Sequence, residues 1–201
     1  EVIESSIFDA DKITSLTNNA DICINLVGIL NQGKSPNNFE TIHQKFPEFL
    51  AHSCKVNQVK QFIHLSALGI EQAKGSLYAK SKLNGEIIAR ENFKLATIIK
   101  PSLVYGPSDQ STNFFYRLMN LLPVFFPIYY GGKTKFFPLF IGDLVEIIYQ
   151  IIIQNIDSKT IECIGPQEMS FKEILERLLK LINKKKIFLS VPLPIAKITA
   201  A

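Results

Sequence analysis

Three short runs of β-branched and aliphatic residues punctuate the first hundred positions, and longer stretches with helical spacing lie between them. Asp21-Ile-Cys-Ile-Asn-Leu-Val27 is the first run and ends at Gly28. Gln61-Phe-Ile-His-Leu65 is the second, and Ala96-Thr-Ile-Ile-Lys100, stopped by Pro101, is the third. Asn38 to Val56 carries apolar residues at Ile42, Phe46, Phe49, Leu50 and Cys54, and Ser76 to Glu91 carries them at Leu77, Ala79, Leu83, Ile87 and Ile88. Spacing by three and four predicts helices, and near-continuous apolar runs predict strands covered on both faces. The strand–helix–strand–helix–strand order predicts an α/β fold built on a doubly wound parallel sheet.

The pattern changes after Pro101. Pro101 to Pro138 holds five prolines and many Phe, with one helical stretch at Asn113 to Leu122 followed by irregular chain. Asp143 to Gln154 is helical again, Ile161 to Ile164 is a short strand, and Ser170-Phe-Lys-Glu173 is a capping-box pattern opening a helix to about Ile182. From Val191 the chain reads as extended. The expected organisation is a nucleotide-binding-type, Rossmann-like core over residues 1–110 and a smaller C-terminal lobe over 111–201. A helix at about 142–155 returns to the core.

With 201 residues, 47% hydrophobic and 20% charged, the chain can bury one sizeable core and a small second lobe. The net charge of +4 rests on lysine spread along the chain, and its one dense run, Lys184-Lys185-Lys186, reads as a solvated helix end, so no nucleic-acid partner is expected. Cys23, Cys54 and Cys163 show no CxxC spacing. Neither a disulfide framework nor a metal site is expected, which suits a reducing, cytoplasmic compartment. No apolar run reaches the ~20 residues of a spanning helix. The first residue is Glu, and EVIESSIFDADKI reads as the interior of a domain. The expectation is an N-terminally truncated piece, with residues missing upstream and downstream.

SLYAKSKLNGE, Ser76 to Glu86, places Tyr78 and Lys82 four residues apart within a helical pattern, hence on one face a turn apart. A free tyrosine has a pKa of about 10, and a neighbouring ammonium favours its phenolate. The same ammonium can donate to ribose hydroxyls. A second match, Tyr129 and Lys133, has Gly131 and Gly132 between its members, which disfavours a helix, and it is read as chance. Ser66 ends the second strand run, where a hydroxyl can orient a substrate oxygen. Gly28 ends the first, where a cofactor can approach the backbone closely. Taken alone, each reads better as an ordinary turn residue.

In chain order, NLVG, FIHLSALG, SLYAKSKLNGE, IIKPSLVYGPSD and FFPLFIGDLVEII form a constellation. It resembles the extended and atypical short-chain dehydrogenases/reductases, in the NAD-dependent epimerase/dehydratase-like branch, over nearly the whole chain. Within that branch INLVGIL and KPSLVYGPSDQSTNFF are most similar to the nucleotide-holding accessory subunit of respiratory complex I and its bacterial relatives. The resemblance implies NAD(P)H as cofactor and Tyr78, Lys82 and Ser66 as catalytic-type residues. It further implies Asn25, Val27, Gly28, Ser66, Tyr78, Lys82, Pro101, Ser102 and Val104 as the cofactor wall. It implies a fixed nucleotide without turnover, complex I subunits or the membrane surface as partner, and a peripheral position on the cytoplasmic face of a bacterial inner membrane. The alternative is an active epimerase, dehydratase or reductase acting on a nucleotide sugar or a similar alcohol or carbonyl. A redox-sensing regulator of the same fold is a third reading.

This sequence departs from the family in three places. The glycine-rich pyrophosphate turn is expected upstream of residue 1, and with it the strand end that distinguishes NAD from NADP. Ala67 stands where a second hydroxyl accompanies Ser66. His43 or Gln44 stands near the family's helix asparagine, and His43 is read as a surface or core residue. The aromatic segment Phe114 to Phe140 is either the second lobe's core or an interfacial surface.

Overall fold

The computed structural model describes residues 2–73, 75–122 and 124–191. In chain order its elements are α1 (Ala10–Thr17), β1 (Ile22–Asn25), a π-helical turn (Thr41–Lys45), α2 (Phe46–Val56), β2 (Gln61–Leu65), α3 (Leu77–Asn92) and β3 (Thr97–Pro101). Then follow β4 (Val104–Tyr105), α4 (Gln110–Leu121), β5 (Phe125–Tyr129), a 3-10 turn (Tyr130–Gly132), β6 (Lys135–Phe136) and β7 (Leu139–Phe140). The remaining elements are α5 (Ile141–Ile153), β8 (Thr160–Cys163), β9 (Met169–Ser170), α6 (Phe171–Leu181) and β10 (Ile187–Val191).

The chain divides into two compact units. The first comprises the residues up to Pro101 together with Leu144–Cys163, and the second Ser102–Asp143 with the chain from Ile164 onward. In the first unit β1, β2, β3 and β8 form a four-stranded parallel sheet in that order. Parallel neighbours need crossovers, and the π turn with α2 and then α3 supply the first two. Every residue of β3 is buried, as is β2 up to His64, which is why both read as apolar runs. Phe46, Leu50, Ala51, Cys54, Val59, Phe62, Ala89, Phe93, Ala96 and Ile98 form the core between sheet and helices. The fold is the expected Rossmann-like α/β arrangement.

In the second unit β5 pairs in parallel with β10, joining Phe125 to Ile187 and Tyr129 to Val191 in register. Phe126 and Ile128 turn inward onto Met119, Leu175 and Leu179. Phe125, Tyr129, Ile187 and Leu189 stay about half exposed. The segment is therefore core on one face and exposed on the other, because a strand alternates with period two. The expected irregular chain after Leu122 is corrected here: Phe125–Tyr129 is a strand whose partner lies some sixty residues away. The helix expected at Ser170 is present with both arms of its capping box, Ser170 Oγ accepting from Glu173 N and the Glu173 carboxylate from Ser170 N. Gly131, at φ +59°, sits in the turn between Tyr129 and Lys133, so that pair lies on no regular helix. Among the described residues no helix is long and apolar enough to cross a membrane.

Candidate functional site

Parallel strands end together, and the ends of β1 and β2 face the N-terminal half of α3. Ser76 caps α3 by accepting from Ala79 N, which fixes where the helix starts. Tyr78, Lys82 and Glu86 then follow at intervals of one turn along one face.

Lys82 is 5% exposed, and its ammonium donates to the carbonyl of Leu65, the last residue of β2, at 2.6 Å. Burial lowers its pKa to about 8, with the charge of Glu86 working the other way. A Cβ added at Gly28 would lie 3.6 Å from His43 Nε2 and 3.9 Å from Lys82 Nζ. The loop after β1 thus passes close to both groups, at ordinary van der Waals distance for a Cβ. Asn25 is buried at the end of β1. Its amide nitrogen donates to His64 Nδ1 at 3.1 Å and its oxygen accepts from Val27 N at 3.1 Å, which folds the loop back on the strand.

His43 sits in the π-helical turn, a local widening that recurs at functional sites. Its Nε2 accepts from Ile29 N at 3.0 Å, so the neutral ring carries its proton on Nδ1. That proton goes to Ser81 Oγ at 2.8 Å, and the Ser81 hydroxyl donates onward to the Tyr78 carbonyl at 2.7 Å. Burial first, and then the Lys82 charge, lower His43 to about 4 and His64 to about 3. Both rings are neutral at physiological pH, and Lys82 is the cation at this edge. Phe39, His43 and Tyr78 pack as an aromatic triad, Phe39 and His43 stacked at 5.2 Å and Tyr78 edge-on to both.

Burial pushes the Tyr78 phenol up from its ordinary value. The expectation that Lys82 lowers it is corrected, because the ammonium is directed at the Leu65 carbonyl and the phenol packs among aromatic rings. Ser66 is buried, and its hydroxyl donates to Glu86 Oε1 at 2.5 Å. Its proton is therefore committed to a carboxylate. The other oxygen of Glu86 pairs with Lys100 Nζ at 2.9 Å, and Lys100 also pairs with Glu71. Burial opposes the charge of Lys100, but the two carboxylates outweigh it and raise its pKa.

The structure places Asn25, Val27, Gly28, Ser66, Tyr78, Lys82 and Pro101 in the first unit, with the Pro101 carbonyl accepting from Leu68 N at 3.0 Å. Ser102 and Val104 fall in the second unit, where Ser102 Oγ accepts from Phe137 N and Val104 pairs with Leu139. His43, His64, Ser81 and Glu86 were not singled out from sequence as site residues. The one available signal was Glu86, spaced a turn beyond Lys82. Among the described residues no group of three or more His, Cys, Asp or Glu could hold a metal ion.

The parallel sheet, the strand-end loop and the helix-borne Tyr78–Lys82 pair are the features on which the resemblance to the extended short-chain dehydrogenases/reductases rests. No family model matches the chain. Its curated relatives include subunit 9 of the NADH dehydrogenase [ubiquinone] 1 alpha subcomplex. The Arabidopsis thaliana protein is 28% identical over 96% of this chain and 48% of its own length, and that of Mus musculus 27% identical over 93% and 49%. A ceramide reductase of Caulobacter vibrioides is 26% identical over 62% of this chain and 38% of its own. The chain thus spans about half the length of the mitochondrial relatives it matches. Among solved structures, UDP-glucuronic acid 4-epimerase from Bacillus cereus with NAD superposes with a TM-score of 0.79 at 23% identity, over 94% of this chain and 68% of that one. A dTDP-4-dehydrorhamnose reductase from Bacillus anthracis with NADP gives 0.78 at 14% identity, over 94% and 72%.

Proposed function

We propose that this chain is part of an NAD(P)H-holding protein that serves as an accessory subunit of NADH:ubiquinone oxidoreductase. The observation that carries the nucleotide reading is the buried Lys82 ammonium at the strand ends, one helical turn from Tyr78 and beside the Gly28 loop. That cradle suits a ribose, whose hydroxyls accept from a charged donor more strongly than from a neutral one. Lys82 and Tyr78 would hold the ribose and Asn25, Val27 and Gly28 would form the wall beside it. The nucleotide, when bound, supplies a hydride-bearing ring.

Holding is favoured over turnover by the state of the acid–base groups. A general base works best with a pKa near the operating pH, whereas burial moves Tyr78 away from it, and Ser66 gives its proton to Glu86. The names of the mitochondrial relatives support the complex I reading. The enzyme reading stands second, favoured by the same Tyr–Lys pair and by the fold's likeness to epimerases and reductases. The test uses the intact, longer protein. Binding of NADH and NADPH is measured by cofactor fluorescence, and copurifying respiratory subunits are identified. Lys82→Ala is expected to weaken binding at least tenfold and Lys133→Ala to leave it unchanged. Turnover of a sugar nucleotide by protein that is free of respiratory subunits would establish the second reading instead.

A further inference from the structure

Glu86 is a buried carboxylate with two side-chain partners, Ser66 and Lys100. It stands on α3, accepts from Ser66 just beyond β2 at 2.5 Å, and pairs with Lys100 of β3 at 2.9 Å. One turn earlier on the same helix face, Lys82 reaches the Leu65 carbonyl. Glu86 is 6% exposed and Lys100 5% exposed. A buried pair of this kind is weak evidence for stability, since desolvation offsets its attraction. Its geometry is that of a fastener: two adjacent strands and the helix bearing the Tyr–Lys pair meet on one carboxylate.

We propose that Glu86 is a positioning residue for the Tyr78/Lys82 pair, tying α3 to the ends of β2 and β3 and supplying the counter-charge beneath the Lys82 ammonium. The groups facing Lys82 make this specific. His43 on the π turn and His64 on β2 are neutral, and Tyr78 is an un-ionised phenol. Glu86 is the anion that acts on Lys82, and it favours the charged form. Replacing Glu86 by Gln keeps the shape and removes the anion.

The role in binding rests on the nucleotide-holding reading, so the experiment has one arm that needs no nucleotide. In the intact protein the Lys82 side-chain carbon signal, assigned by its loss in Lys82→Arg, is followed by NMR against pH. The wild-type midpoint is expected near pH 8. In Glu86→Gln it is expected about one unit lower, as for loss of a neighbouring opposite charge, and Glu86→Asp is expected to restore most of the difference. In the second arm NADPH affinity is followed over the same range, and its alkaline loss is expected to move with the Lys82 midpoint. At pH 8 that amounts to several-fold weaker binding in Glu86→Gln. If Glu86→Gln does not fold, Glu86→Gln/Lys100→Met, which removes both buried charges, is measured in its place and is expected to lower the midpoint likewise. An unchanged midpoint in a folded variant overturns the proposal, because a purely structural carboxylate shifts melting and not titration. A shifted midpoint in a protein that binds no nucleotide retains Glu86 as the determinant of Lys82 and removes the holding reading alone.

Discussion

At the scale of single residues, the site depends on a missing side chain. A Cβ at Gly85 would stand 2.2 Å from the His43 carbonyl oxygen, a backbone atom that cannot step aside. Gly85 therefore lets α3 press against the π turn, which brings Lys82 and Ser81 to His43. Helix propensity favours Ala over Gly by about 1 kcal/mol, but overpacking costs about 1–3 kcal/mol. Gly85→Ala is expected to destabilise the protein net, by up to about 2 kcal/mol in urea denaturation, with nucleotide affinity falling as His43 shifts. A variant that gains stability would show that α3 and the π turn have room to part. The two histidines give a pH dependence with a definite sign. Their folded pKa values, about 4 and about 3, lie below the ordinary 6.5, so the unfolded chain binds more protons between those values and 6.5. Stability is then full above pH 6.5 and declines as the pH falls, by at most about 1.4 kcal/mol per unit for each ring. Urea midpoints measured at pH 7.5, 6 and 5 should fall in that order, and less steeply in His64→Asn.

At the scale of elements, legibility followed sequence distance. α3 was readable because everything that specifies it is local: Ser76 at its cap, apolar residues at helical spacing, and no internal Pro. The Ser170–Glu173 box was readable for the same reason, and the glycines between Tyr129 and Lys133 excluded that pair. β5 was not readable, because Phe125–Tyr129 becomes a strand only by pairing with Ile187–Val191, and no local pattern announces such a parallel partner. α1 escaped because its eight residues are polar on most sides, although Asp9 caps it. The widening at Thr41–Lys45 escaped because its register depends on contacts with α3, and His43 was hidden with it. The Ser66–Glu86–Lys100 fastener joins residues 14 to 20 positions apart that only the packing of α3 on the strand ends brings together. The ribbon of β5 and β10 has a prediction of its own. Phe126 is 2% exposed within the α4–α6 core and Phe125 is 53% exposed on the opposite face. Phe126→Ser is expected to cost about 3 kcal/mol or more, as large core truncations do, and Phe125→Ser less than about 0.5 kcal/mol. Thermal melts of the two single variants distinguish the faces, and equal losses would mean that both are covered.

At the scale of the whole molecule, the two units present different chemistry. The first buries Phe46, Phe62 and Phe93 in its core and holds a cation at its candidate site. The second shows solvent an apolar strip, Phe125, Tyr129, Ile187 and Leu189, with Lys184-Lys185-Lys186 directly before β10 and Lys133 directly after the turn that follows β5. Apolar area rimmed by lysines is the combination that favours an anionic bilayer surface, since burial and attraction to lipid headgroups add. Nothing in this requires a spanning helix. The expected outcome is that the intact protein sediments with vesicles containing phosphatidylglycerol, less with neutral phosphatidylcholine vesicles, and less again as salt is raised. Phe125→Ser/Leu189→Ser should release it several-fold, while NADPH affinity stays unchanged, because Lys82, Tyr78 and Gly28 belong to the first unit. Phe126 is left intact in this variant, so a loss of vesicle binding is not a loss of the core. Binding to neither kind of vesicle would assign the strip to a protein neighbour, and the same double variant should then lose any respiratory subunits that copurify.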